Sequence, residues 1–225
     1  VKKTQIKICC IANEEEAQIA LDQGVNAVGL VGKMPSGPGV IGSDRASSII
    51  AALPDGVDSF FLTSHDLGSE IVKELGVCRA STVQIVRHID PVEYSPIIEN
   101  LPNLRRVQVI HVENDSALTL IERYNQVADA FLLDSGKTMG ANPQFGGTGK
   151  VHDWAISKQF VQSTDLPVYL AGGLSSENVF RAVTEVRPAG VDVCSGVRSN
   201  DTLDLEKLQA FVQEVQRADD SINQQ

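Results

Sequence analysis

Eight short apolar runs, each followed by a stretch with helical spacing, restrict the possible folds of this chain more than any other feature. The runs occupy residues 6–11, 27–31, 59–63, 82–86, 106–112, 130–134, 168–171 and 191–194. Most are continuous or rich in β-branched residues, as expected of parallel strands covered by helices. Between them the apolar residues fall on one helical face. Ala17, Ala20, Leu21 and Gly24 follow i, i+3, i+4, i+7, as do Val179, Ala182, Val183 and Val186, and Leu208, Phe211, Val212 and Val215 repeat the spacing near the end. Asn13 followed by Glu16 reads as a capping-box variant, and Gly24 and Gly76 read as helix stops.

Eight such units within 225 residues predict an α/β fold, a single-domain (β/α)8 TIM barrel at the compact end of its size range. An open doubly wound sheet is the alternative, and it more often carries fewer strands. No linker or composition break divides the chain. The barrel is expected over residues 1–218, with 219–225 a frayed polar tail.

Charge narrows the partners. A net charge of −10 argues against a nucleic-acid surface or an anionic membrane, because neutralising a run of phosphates needs a basic face. A small anion is still accommodated by backbone amides. The cysteines are Cys9, Cys10, Cys78 and Cys194, with no zinc-like spacing and no disulfide framework, so a reducing cytoplasm is expected. No signal-peptide or membrane-span pattern is read in the sequence. His65, His88, His111 and His152 follow no metal-ligand spacing, so no metal is expected.

In a barrel of this class, chemistry sits at the C-terminal ends of the strands. Strand 1 presents Lys7 and Cys9 on one face, with Ile6, Ile8 and Cys10 on the other. An inward lysine needs a partner, and Asp192 on strand 8 is the expected one, since strand 8 neighbours strand 1 once the barrel closes. The ammonium would favour the thiolate of Cys9; otherwise Cys9 is a small buried hydrophobe. Strand 6 ends on Asp134, roughly across the barrel from Cys9, so the two are placed to flank a small substrate as acid and base. A structural ion pair or helix cap is the alternative for Asp134.

Glycines follow the last strands. Gly172 and Gly173 come after strand 7, with Ser175 and Ser176 as the expected cap of the next helix, and Ser195 and Gly196 come after strand 8. Loops at these two positions are the usual phosphate site of such barrels. After strand 6, Gly146-Gly147-Thr148-Gly149-Lys150 is either a flexible connection or an element that closes over the site. The Gly- and Pro-rich loop 34–41 fits a lid or a plain surface loop, and Trp154 reads as packing.

With these residues placed, the chain resembles the phosphoribosylanthranilate isomerase family. Lys7-Ile8-Cys9 is similar to that family's opening Lys-Ile-Cys-Gly motif, with Cys10 where glycine is usual. Leu132-Leu133-Asp134 and Gly146 to Lys150 with Asp153-Trp154 resemble its strand 6 segment. Gly172-Gly173-Leu174 with Glu177-Asn178-Val179, and the 191–197 segment, resemble its last two units.

The resemblance implies an Amadori rearrangement of an N-linked phosphoribosyl aminoaldose to an aminoketose, in tryptophan biosynthesis. It implies Asp134 as general acid and Cys9 as general base, with Gly172, Gly173, Ser195 and Gly196 holding phosphate. Lys7, Arg87, Gly146, Gly147 and Asp192 are expected around the rest of the substrate. No cofactor is implied, and the oligomeric state is open between monomer and homodimer. Besides Cys10, three features depart from the family. The arginine usual in the strand 2 loop is absent, the strand 4 Gln-Leu-His-Gly motif reads Gln84-Ile85-Val86-Arg87-His88, and Arg198 stands where an acid is common. Lys33, Arg87 and Arg198 are the candidate replacement cations, with Arg87 favoured by its place just past a strand end. A related barrel isomerase or lyase on another phosphosugar, and a non-catalytic phosphate-binding barrel, are the competing expectations.

Overall fold

The computed structural model describes residues 3–35, 37–135 and 152–224. Eight parallel strands close into a barrel in sequence order: β1 (Gln5–Ile8), β2 (Ala27–Val31), β3 (Asp58–Thr63), β4 (Thr82–Ile85), β5 (Arg105–His111), β6 (Ala130–Asp134), β7 (Val168–Leu170) and β8 (Gly190–Val193). Closure is direct, with Lys7 paired in register to Asp192. The helices are α1 (Glu14–Asp22), α2 (Ser43–Ala52), α3 (Gly68–Cys78), α4 (Tyr94–Asn100), α5 (Thr119–Tyr124), α6 (Trp154–Gln162), α7 (Val179–Val186) and α8 (Leu205–Asn223). Among the described residues no helix is long and apolar enough to cross a membrane.

Strand alternation sorts side chains into two cores. Ile6, Ile8, Val28, Leu30, Ile110, Phe131 and Leu133 point outward and pack against the helices, together with Val179, Ala182, Val183 and Val186 of α7. Ala27, Val31, Phe60, Leu62, Val107, Val109, Leu132 and Tyr169 fill the barrel itself. Lys7 is fully buried within it, its Nζ 2.8 Å from Asp192 Oδ1 and 5.2 Å from the Phe60 ring centroid. Gly29 makes the room: a Cβ there would lie 2.9 Å from Cys9 Sγ and 3.0 Å from Lys7 Nζ. At the opposite rim Arg105 pairs with Asp58 at 2.6 Å and Arg106 with Asp129 at 2.6 Å, ion pairs that fasten the strand beginnings.

Local chemistry accounts for several element ends. Asn13 Oδ1 accepts from Glu16 N at 2.8 Å, and Glu16 Oε2 accepts from Ala12 N, one residue before the usual capping-box position. Asp153 Oδ1 caps α6 by accepting from Ala155 N, and Trp154 is buried at its start, against the Arg181 guanidinium.

Four expectations need correction. Gly76 lies inside α3, which stops instead at Arg79 in a left-handed conformation (φ 56°). The position before α7 is Asn178, while Ser175 Oγ accepts only from Glu177 N at 3.3 Å. The expected frayed tail is helical to Asn223, because α8 carries its apolar stripe on to Ala218 and Asp219 accepts from both the amide and the hydroxyl of Thr4. Strand 1 ends at Ile8 rather than running to Ile11, because Cys10 takes φ 64° and reverses the alternation.

Candidate active site

A cavity opens where the strands end, and the chemistry-bearing residues converge on it. Its lining includes Cys9 and Cys10 after β1, Gln84 on β4, His111 on β5, Asp134 on β6, and Asp192 on β8. Gly172 and Gly173 after β7 and Ser195 after β8 complete the rim. Cys9 and Asp134, 125 positions apart in the chain, thus face one space.

Asp134 is half-buried at the end of its strand, where its Oδ1 accepts from Ser135 N at 2.7 Å. Burial pushes its carboxyl above the ordinary aspartate value, and Asp192 adds to the rise; His111, the Ser135 amide and Lys7 pull the other way. A carboxyl held protonated to higher pH is suited to give a proton away. Metal-ligand spacing gives no sign of His111's place in the site. His111 is the register partner of Asp134 on the adjacent strand, and its Nε2 lies 3.0 Å from the Val86 carbonyl. In the neutral ring that contact makes Nε2 the protonated nitrogen and leaves Nδ1 as the acceptor. Gln84 was missed too. It is buried and its Oε1 has no partner among the described residues, so it is placed to accept from a bound hydroxyl. A polar residue at an inward position near a strand's C-terminal end is the sequence signal for both.

Lys7 does not line the cavity. It lies beneath, paired to Asp192, whose carboxylate reaches the cavity floor. Burial alone would lower the lysine pKa, but the Asp192 charge and then Cys9 outweigh it, and the net shift is upward. The lysine therefore stays an ammonium inside the barrel, and its expected direct contact with substrate gives way to a supporting position below Cys9 and Asp192.

The candidate cations are also placed by the fold. Arg87 leans outward onto Asp66 at 3.2 Å and is not in the cavity lining. Arg198 is consumed structurally: Nη1 meets Glu16 Oε1 at 2.9 Å, and Nη2 donates to the Cys10 carbonyl at 2.6 Å. Burial would raise the Glu16 carboxyl, but Arg198 and the amides of Ala12 and Leu203 bring it below its ordinary value. The arginine at an unusual position thus has a buried acid of this chain as its counterpart, and it holds the carbonyl of the residue next to Cys9. Among the described residues the cavity lining contains neither arginine nor lysine.

The two glycine loops pack on each other. A Cβ on Gly196 would lie 2.0 Å from the Leu174 carbonyl oxygen, so only glycine permits this approach. Gly172 has φ 83°, and a Cβ there would sit 2.8 Å from Ser135 N, beside the Asp134 carboxylate's own donor. Gly172→Ala is expected to destabilise the fold by about 1–3 kcal/mol from backbone strain. It is also expected to raise KM for a phosphorylated substrate more than it lowers kcat. Thermal melts with steady-state kinetics check both. Gly146 and Gly147 fall outside the described residues. The loop after β2 reaches the site: Met34, Gly37 and Pro38 line it, and Cys10 Sγ lies 3.7 Å from the Pro38 carbonyl.

Comparison with known proteins identifies the family. A family model described as N-(5'-phosphoribosyl)anthranilate (PRA) isomerase matches residues 6–214. N-(5'-phosphoribosyl)anthranilate isomerase of Methanocella arvoryzae is 34% identical over 213 residues, covering 94% of this chain and 98% of that protein. The protein of that name from Haloarcula marismortui is 33% identical over 217 residues, covering 96% and 97%. Among solved structures, phosphoribosyl anthranilate isomerase from Thermotoga maritima superposes with a TM-score of 0.79 at 26% identity, over 95% of this chain and 99% of that one. The Thermus thermophilus enzyme superposes with a TM-score of 0.80 at 24% identity and 95% and 99% coverage, a likeness of fold. A family model over residues 6–214 and near full-length matches at this level settle the relationship: the chain belongs to the N-(5'-phosphoribosyl)anthranilate isomerase family.

Proposed function

We propose that this protein isomerises N-(5'-phosphoribosyl)anthranilate to 1-(2-carboxyphenylamino)-1-deoxyribulose 5-phosphate, the aldose-to-ketose step of tryptophan biosynthesis, with Asp134 as acid and Cys9 as base. The observation that carries this reading is that Cys9 and Asp134 face one cavity whose rim is formed by the glycine loops after β7 and β8. Asp134, protonated, gives its proton to the furanose ring oxygen, and the sugar opens to a Schiff base. The Cys9 thiolate then takes the C2' proton, giving an enolamine that tautomerises to the ketone. The phosphate is held by Gly172, Gly173, Ser195 and Gly196, where backbone N–H groups meet an anion without any basic side chain.

His111 acts on the acid. Proton donation turns Asp134 from a neutral carboxyl into a half-buried carboxylate, and the imidazole on the adjacent strand favours that charge. His111→Gln is expected to lower kcat, because the acid loses a group that favours its charged form, and to move the basic limb of the pH–rate profile upward. An unshifted profile would leave His111 without this part.

Complementation of a tryptophan auxotroph lacking this isomerase tests the function as a whole. The wild-type chain is expected to restore growth, while Cys9→Ala and Asp134→Asn, expressed and folded, are expected to fail. Growth with either variant would overturn the acid–base assignment, and failure of the folded wild type would overturn the substrate.

A further inference from the structure

Two thiols of the cavity wall have no part in the isomerase chemistry. Cys10 and Cys194 follow neighbouring strands at the seam where the barrel closes, and their Sγ atoms are 2.7 Å apart. A disulfide bond is about 2.05 Å long, so the two sulfurs are separated by little more than the bond they would form. Cys10 is buried, and Cys194 is partly open to the cavity that both line. The backbone holds Cys10 in this position: its φ is 64°, its carbonyl is gripped by Arg198 Nη2, and Gly39 packs against it so closely that a Cβ would lie 2.6 Å from Cys10 Cβ.

We infer that Cys10 and Cys194 form a site of reversible oxidation, closing to an intrachain disulfide when the protein meets a peroxide. Cys194 is the more open of the two thiols, and the Cys10 S–H and then Arg198 favour its charge against burial, so it is the sulfur that attacks. The Cys194 thiolate attacks one peroxide oxygen, the O–O bond breaks, and the attacked oxygen stays on sulfur as a sulfenic acid. The other oxygen leaves as water, taking the proton of Cys10. The Cys10 thiolate then attacks the Cys194 sulfur, the S–O bond breaks, and hydroxide departs to be protonated by solvent. Two electrons pass from the two sulfurs to one peroxide, and no other reductant is consumed.

Vicinal Cys9 is the competing partner, since its thiol also lies within hydrogen-bonding reach of Cys10. A bridge between sequence neighbours needs a strained eight-membered ring, whereas Cys10 and Cys194 meet across two strands. Cys9 is therefore expected to stay a free thiol.

The test is treatment of the intact folded protein with stoichiometric hydrogen peroxide. It is followed by alkylation under denaturing, non-reducing conditions and by peptide mapping, with fragment ions that separate Cys9 from Cys10. The expected result is loss of two of the four alkylatable thiols. A linked Cys10–Cys194 peptide pair should weigh two hydrogens less than its reduced form, Cys9 and Cys78 should be alkylated, and dithiothreitol should restore all four. A bridge that contains Cys9 would overturn the assignment. So would recovery of both Cys10 and Cys194 as alkylated or irreversibly oxidised residues. Cys10→Ser should leave Cys194 as a sulfenic acid that dimedone traps, and Cys194→Ser supplies the reciprocal control if the first variant folds poorly. A disulfide persisting in both variants would equally contradict the inference.

Discussion

Asp134→Asn is expected to lower kcat by roughly 10²–10⁴-fold, the span that a positioned general acid supplies, while leaving the barrel folded. The asparagine keeps the shape and the Ser135 contact but has no proton to give to a ring oxygen. The same substitution has a second signature in stability. Because burial raises the folded carboxyl's pKa, the native state holds this proton more tightly than the unfolded chain does. Folding stability therefore falls as pH rises from the unfolded aspartate value of about 3.9 towards the raised folded value, and stays lower above it. Asp134→Asn removes that loss. Melting curves should show the variant gaining on the wild type as pH rises through this window, and at neutral pH it should be at least as stable. A variant that loses both activity and stability would mean that Asp134 serves the fold rather than the reaction.

Lys7→Met carries the largest expected cost to the fold. The ammonium is fully buried and 2.8 Å from Asp192 Oδ1. Removing it strands the Asp192 carboxylate at the cavity wall, which typically costs about 3–5 kcal/mol. For a chain of this length, each kcal/mol moves Tm by about 2–4 °C, so the melting point should fall by roughly 6–20 °C. The cost belongs to the orphaned charge rather than to the lost contact, since a buried ion pair can often be replaced by apolar residues with little net loss. The double variant Lys7→Met, Asp192→Leu should accordingly recover most of the stability, though its activity should stay low because Asp192 lines the cavity. If the double variant were as unstable as the sum of two single losses, the pair would not be acting as a unit.

Much of this architecture is written in local pattern. The stripes on α7 and α8 name the buried residues directly, because a 3.6-residue repeat has one way to face a sheet. Period-two alternation put Lys7 and Cys9 inside the barrel, and the closing rule of an eight-strand barrel supplied Asp192 as partner. What escaped was set by contacts distant in sequence. Cys10 belongs by alternation to the outward face, but Arg198, 188 positions away, holds its carbonyl, and it packs with the inner core. Arg87 follows a strand end, as a substrate-binding cation should, yet Asp66 draws it outward. His111 was hidden in an apolar run and became visible only when the register set it beside Asp134. Gly76 misled because nothing lies within 4 Å of where its Cβ would be; that glycine marks neither a turn nor a close approach.

The central claim is that Cys9 and Asp134 act on the two faces of one phosphosugar. The most direct measurement is turnover of N-(5'-phosphoribosyl)anthranilate by the purified wild-type protein and by Cys9→Ala and Asp134→Asn, in deuterium oxide, following product formation and label at C1' and C2' by NMR and mass spectrometry. The account predicts that the wild type forms the aminoketose with loss of the substrate's C2' proton, and that each variant falls by at least 10²-fold while melting as a folded protein. Unchanged turnover in either variant, or a wild type that leaves this substrate untouched, would contradict it.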